Sequence, residues 1–338
     1  MNSSLKPVIA LFTGDPAGIG PELTAKLLAD PQTFACAEIV LIGNRATFAE
    51  GIAAAGASID LLKNVKTHPW SGLEAPAFAP GTVSEKNGRF MLDALTEGAH
   101  LVQAGQADAL CFAPLNKGAL RAGGMHHEDE MRWFAELLAF DGICGELNVL
   151  EKLWTSRVTS HVPLREVSSL LSVEKVADAI RMITEALRAA GNANPKIAVC
   201  GLNPHNGDNG NYGDEEARII GPGVQLAASR GFVADGPFSA DTVFVRAIRT
   251  DGTGYDGVVT MYHDQGQIAM KLMGFERGVT VQGGLPIPIT TPAHGTAYDI
   301  VGKGVANPQA MKNAFDIACR MGRSRRRSGN RSLSEQLI

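Results

Sequence analysis

The sequence has no CxxC pair, no excess of positive charge and no long apolar run, and each absence narrows what the protein does. Its five cysteines, Cys36, Cys111, Cys144, Cys200 and Cys319, are odd in number and scattered. That pattern excludes a zinc knuckle and a disulfide framework, and suits reduced core residues of a cytoplasmic protein. The formal net charge is −4, so no basic surface is expected for a phosphate backbone and nucleic acid is not an expected partner. The longest apolar runs, such as Ile39–Ile42, are far below the roughly 20 residues that cross a bilayer, which argues against a membrane partner. The amino terminus, "MNSSLKPVIALFTGDPAG", has a short apolar run that leads straight into a turn, unlike a secretory signal.

What is present suits a large globular chain. Of 338 residues, 45% are hydrophobic and 20% charged, enough for one large unit or two domains of ordinary size. Short apolar runs read as strands at Val8–Thr13, Glu38–Ile42, Ala109–Ala113, Val158–Val162, Lys196–Gly201 and Gly257–Met261. Between them lie helical patterns at Pro21–Leu28, Lys86–Val102, Val173–Ala190, Gly213–Ser229, Asp264–Met273 and Asn307–Cys319. The segment "VEKVADAIRMITEALRAAG" shows the helical period best, with Val176, Ile180, Ile183 and Leu187 on one face and Gly191 just past the end. Strand–helix alternation predicts an α/β fold, a mainly parallel sheet with helices on both faces. Ligands of such folds bind beyond the C-terminal strand ends. The Arg/Ser-rich segment after Met321, residues 322–338, has no apolar period and reads as a disordered basic tail.

Three predicted strands run into a histidine. His161 opens "HVPL", His205 lies in "GLNPHNGDNG", and His263 lies in "MYHDQG". Each alone is read more readily as a residue satisfying a local hydrogen bond. Three at equivalent junctions, out of eight histidines in all, point to one divalent ion, because neutral imidazoles are common ligands and three protein ligands leave a position for substrate. Asp241 in "GPFSADTVF" and Asp264 next to His263 are placed to orient a ligand imidazole or to take a proton. Asp264 reads equally as a helix N-cap. "GDPAGIG" is not GxGxxG, and "HHEDEM" is not HExxH because Met131 stands where the second histidine would be. "TTPAHGTAYDIVGKGVANP" (290–308) reads as an irregular loop or as a nucleotide-binding loop, since glycine lets backbone approach a ligand.

Together, "GDPAGIGPE", "APLNKGAL", "SHVPL", "GLNPHNGDNG", "GPFSADTVF", "MYHDQGQIAMKLMGF" and "HGTAYDIVGKGVANP" make the chain resemble the 4-phosphohydroxythreonine dehydrogenases of vitamin B6 synthesis and their relatives, to about Met321. The last motif also looks like the adenine-side loop of isopropylmalate and isocitrate dehydrogenases. The resemblance implies two α/β/α domains with a cleft between them, isopropylmalate dehydrogenase-like. The first would comprise residues 1–125 and 285–321 and the second 126–284. It further implies a divalent metal, zinc foremost, on His161, His205 and His263, with NAD or NADP as oxidant. The cofactor would be held by His294, Gly295, Thr296, Ala297, Asp299 and Asn307. It also implies a homodimer whose active site draws on both subunits.

The departures concern the substrate. The family's phosphate-binding His-Thr pair aligns with Glu130 and Met131, and its later Asn and Arg with Thr280 and Ile289, while its Lys remains as Lys271. A carboxylate facing a phosphate without the Arg is unfavourable in charge sign. The expectation is therefore a decarboxylating alcohol dehydrogenase acting on a non-phosphorylated substrate, such as the cis-dihydrodiol of an aromatic dicarboxylate of the terephthalate type. Lys271, Asp241 and Asp264 are the candidate bases. The alternatives are 4-phosphohydroxythreonine or a related phosphorylated hydroxy acid as substrate, and a non-catalytic small-molecule binding protein of the same fold.

Overall fold

A computed structural model describes residues 6–75 and 78–335. The chain divides into two compact units, residues 1–141 with 285–338, and residues 142–284. In the first segment the order is β1 (Val8–Phe12), α1 (Gly20–Leu28), α2 (Pro31–Cys36), β2 (Glu38–Ile42), α3 (Arg45–Ala54), α4 (Leu61–Asn64), β3 (Lys66–Thr67), α5 (Glu85–Gln103), β4 (Ala109–Phe112), α6 (Lys117–Ala122) and α7 (Glu130–Leu137). The second unit holds β5 (Gly145–Leu150), β6 (Leu153–Arg157), α8 (Val167–Leu170), α9 (Val173–Ala189), β7 (Ile197–Cys200), α10 (Gly221–Ser229), β8 (Asp235–Phe238), α11 (Ala240–Ala247), β9 (Gly257–Thr260), α12 (His263–Gly274) and β10 (Val279–Gly283). The chain then returns to the first unit as β11 (Ile289–Pro292) and α13 (Gln309–Glu335).

The first unit carries strands in the order β3-β2-β1-β4-β11, every neighbouring pair parallel. Ile9 to Phe12 and Ala109 to Cys111 have no exposed surface, as expected of parallel strands covered on both faces. On one face Ala10, Phe12, Leu110 and Phe112 pack with Phe90, Met91, Ala94 and Leu95 of α5. On the other, Thr290 of β11 donates to the Ala314 carbonyl of α13 at 2.9 Å. Helix α5 starts where Ser84 accepts the Asn87 N–H. It meets α6 so closely that a Cβ on Gly88 would lie 1.8 Å from the Ala119 carbonyl oxygen.

The second unit carries the order β10-β5-β6-β9-β7-β8. Strands β10, β5 and β6 are antiparallel neighbours, whereas β6, β9, β7 and β8 run parallel. Val176, Ile180, Ile183 and Leu187 of α9 are all buried, as their spacing predicts. Met270 of α12 packs with Leu150, Leu153 and Val258.

Three sequence expectations need correction. Residues 158–162 are not a strand; the strand is β6, five residues earlier, where it pairs antiparallel with β5 through Leu150↔Leu153. The turn at Glu151, with φ 53°, sets that register. Residues 126–141 belong with the first unit rather than the second, since Phe134 of α7 lies in the same core cluster as Phe112 and Leu120. Residues 322–335 are not a disordered tail but the continuation of α13; residues 336–338 lie outside the described residues. The arginines that suggest disorder by composition instead bind main-chain carbonyls: Arg323 donates to Cys36 at 3.0 Å and Arg325 to Pro286 at 2.7 Å. Among the described residues, no helix is long and apolar enough to cross a membrane.

Candidate active site

The second unit gathers the chemistry at one end of its sheet. The adjacent parallel strands β6, β9, β7 and β8 are followed within five residues by His161, His263, His205 and Asp241. The rings of His161 and His263 stand side by side, with centroids 5.7 Å apart and planes at 44°. His263 is the first residue of α12, and its Nδ1 lies 2.7 Å from Asp264 Oδ1, so Nε2 is the ring nitrogen not engaged by that carboxylate. Asp264 is thus inside the first helical turn beside His263, not at the N-cap. Gln265 joins two strand ends: its Oε1 accepts from the Met261 N–H at 2.7 Å, and its Nε2 donates to the Gly201 carbonyl at 2.8 Å.

His205 sits differently. Residues 205–209 all have φ between 42° and 78°, a left-handed run that only glycine and short polar side chains tolerate at modest cost. Buried Glu216 anchors the loop, its Oε1 accepting from the N–H groups of Leu202 and Asn203 at 2.7 Å each. The His205 ring lies beside Tyr212, centroids 6.4 Å apart. Among the described residues, no three His, Cys, Asp or Glu side chains of one chain form a group that could hold an ion. The expected meeting of three imidazoles is therefore not completed within one chain. Two of the rings, His161 and His263, come together, and His205 lies in the loop that Glu216 anchors. The His161–His263 pair fits a divalent ion as two of its ligands, one of them oriented by a carboxylate.

Lys271 is exposed and lies eight residues after His263, on the same face of α12 as Gln267. Asp241 is exposed in the first turn of α11. Thr280 Oγ1 accepts a hydrogen bond from Asn148 Nδ2 at 3.5 Å. In the first unit, Glu130 opens α7 and is 3.9 Å from Lys117 Nζ. Met131 is 3% exposed and Ile289 fully buried, with Ile289 in register with Leu110. Neither side chain is exposed in this structure, one lying in the first turn of α7 and the other in an interior strand.

The segment after β11 is tied to the turn after β1. Ala297 has φ 43°, and the Thr296 carbonyl accepts from the Ile19 N–H at 3.1 Å. Gly18 is required there, since a Cβ would come within 2.8 Å of the Thr296 Cβ. Fully buried Asp15 accepts from the Ala17 N–H at 2.9 Å and from the Tyr298 hydroxyl at 2.5 Å. Burial raises its pKa, opposed by those two bonds, and burial beside Asp15 likewise pushes the Tyr298 phenol up. Lys26, paired with Glu22, donates to the carbonyls of Gly304 and Ala306 at 2.8 Å each. His294 Nδ1 lies 3.0 Å from the Gly295 carbonyl, Gly295 and Asp299 are exposed, and Asn307 accepts from the Gln309 N–H at the start of α13. Sequence reading missed Asp15, Glu22 and Lys26. The visible signal was an acidic residue inside a Gly/Pro turn at a strand end, followed by a Glu–Lys pair at i,i+4.

Two α/β units, one bearing histidines past adjacent parallel strands and the other a glycine-rich loop laced to the turn after its first strand, place the protein in the class of two-unit α/β proteins. Residues 35–318 match the family described as pyridoxal phosphate biosynthetic protein PdxA, and the chain belongs to that family. A Pseudomonas aeruginosa protein provisionally named 4-hydroxythreonine-4-phosphate dehydrogenase 2 is 53% identical, covering 96% of this chain and 99% of its own. The crystal structure of a 4-hydroxythreonine-4-phosphate dehydrogenase from Klebsiella pneumoniae is 32% identical with a TM-score of 0.80, covering 95% and 100%. A terephthalate 1,2-cis-dihydrodiol dehydrogenase from Burkholderia xenovorans is more distant, 26% identical with a TM-score of 0.65 over 91% and 98%. The expectation of a non-phosphorylated dihydrodiol substrate is overturned by these names, since the nearer relatives are named for a phosphorylated one.

Proposed function

We propose that the protein is a metal- and NAD(P)-dependent dehydrogenase of a phosphorylated hydroxy acid, of the 4-hydroxythreonine-4-phosphate type. The observation that supports it most is the row of histidines past three adjacent parallel strands, in a chain whose relatives are named for that reaction. His161 and His263 hold a divalent ion, with His205 of a second copy completing the set in a homodimer. A bound ion supplies Lewis acidity toward the substrate hydroxyl, and imidazole donors favour zinc or a first-row relative. Asp264 keeps the His263 ring turned for ligation. Lys271, on the same helix face, offers an ammonium to an anionic substrate group, and Asp241 takes the hydroxyl proton. The segment from His294 to Asn307 holds the nucleotide. Where a carboxylate is β to the new ketone, the C–C bond breaks and CO2 leaves with the electron pair delocalised onto the carbonyl oxygen.

The test is NADH or NADPH formation with 4-phosphohydroxythreonine, other phosphorylated hydroxy acids and their dephosphorylated counterparts, each with and without chelator. Chelator-sensitive turnover confined to the phosphorylated compounds is the expected result. Turnover only on dephosphorylated alcohols, or none at all, refutes the proposal, and light scattering at monomer mass refutes the dimer.

A further inference from the structure

Beneath the N-terminal half of α12 lies a cluster of polar side chains that the proposed chemistry does not use. Its hub is Arg157, the last residue of β6, whose side chain is 7% exposed. All three guanidinium nitrogens are engaged. Nε donates to Ser160 Oγ at 2.9 Å, one terminal nitrogen to Asn148 Oδ1 at 2.8 Å, and the other to Glu146 Oε2 at 2.6 Å. Asn148 Oδ1 also accepts from Gln267 Nε2. Ser160 immediately precedes His161, and Gln267 is one helical turn beyond His263.

One planar cation therefore holds both ends of the histidine pair, His161 through Ser160 and the helix of His263 through Asn148 and Gln267. A guanidinium suits this because its donors lie in a rigid fork; an ammonium would keep only part of the geometry. The placement is also specific along α12. Further on, Met270 rests on the apolar side chains of Leu150 and Leu153, so the polar cluster is confined to the histidine end.

We infer that Arg157 is a positioning residue that sets the spacing of His161 and His263 for a shared divalent ion. The inference rests on the proposed metal-dependent reading of that pair. It concerns ion binding alone, so it is tested without substrate. The probe is Co2+, followed by visible absorption and by competition with a chelator, for the full-length protein and for Arg157→Met, Arg157→Lys and Gln267→Met. Removing a residue that orients metal ligands typically lowers affinity about 10- to 100-fold. Since Arg157 acts through Ser160 and Asn148, a loss near tenfold with an altered Co2+ spectrum is expected for Arg157→Met, with partial recovery in Arg157→Lys. Should Arg157→Met fail to fold, Gln267→Met, which cuts only the α12 arm, is expected to lose affinity several-fold. Wild-type affinity and spectrum in a folded Arg157→Met or Gln267→Met would overturn the inference, as would failure of the wild-type protein to bind Co2+. Wild-type Co2+ binding that weakens in the variants sustains the inference even if no hydroxy acid is oxidised, which separates its failure from that of the proposed reaction.

Discussion

Replacing Gln265 with Leu tests how the strand ends that carry the histidines are held together. Gln265 satisfies two main-chain groups on different strands, the Met261 N–H after β9 and the Gly201 carbonyl after β7. Leucine has similar bulk and can serve neither. Each lost bond removes about 1 kcal/mol net, and a buried donor or acceptor left unmet costs about 1–3 kcal/mol. With two groups affected and some access of water, the expected loss is about 3 kcal/mol. For a chain of 338 residues, at about 2.1 cal/mol/K of unfolding entropy per residue, that corresponds to about 4 °C in Tm. Urea denaturation measures the free energy and a thermal scan the midpoint. Gln265→Glu refines the test, because glutamate keeps the acceptor for Met261 but faces the Gly201 carbonyl with an oxygen. It should be destabilised at neutral pH and recover as acid protonates it and restores a donor. A loss below about 0.5 kcal/mol for Gln265→Leu, or the same pH response in Gln265→Glu and wild type, would refute the assigned role.

Asp264→Asn should weaken divalent-ion binding about 10- to 100-fold, because the carboxylate that orients His263 loses its charge; chelator competition measures it, and unchanged affinity refutes the orientation. Asp15→Asn should alter the pH dependence of stability. Burial raises the folded pKa of Asp15 above its unfolded value, so its contribution is most favourable below the unfolded value and falls as pH rises through the folded one. The amide can still accept from Ala17 and donate to the Tyr298 oxygen, so the variant should lose that decline, and superimposable urea midpoints across acidic to neutral pH would contradict it. Gly88→Ala should cost about 1–3 kcal/mol or more by overpacking, since the added methyl meets the Ala119 carbonyl at 1.8 Å; a Tm within a degree of wild type would show that α5 and α6 are not so tightly apposed.

Much of the architecture was legible because local chemistry and tertiary demand agree. The parallel strands β1, β2, β4, β7 and β9 are continuous apolar runs that must be covered on both faces, and α9 has its apolar residues at helical spacing. The hairpin β5–β6 was not legible. Its polar side chains Glu146, Asn148 and Arg157 satisfy one another across strands, and composition conceals such pairing. The carboxyl-terminal helix was hidden for a related reason, since arginines that look solvated are used to bind carbonyls of distant segments.

By itself, the sequence determined the residue types at each strand end and their order: three histidines, the carboxylate beside one of them, and the glycine-rich loop. Their chemistry belongs to the side chains and needs no fold to be read. Only the tertiary structure decided which of them meet. It set His161 beside His263, placed His205 in a left-handed loop anchored by Glu216, and buried Met131 and Ile289. Distance between residues far apart in the chain is a property of strand order and packing, and neither is written in the identity of any single residue.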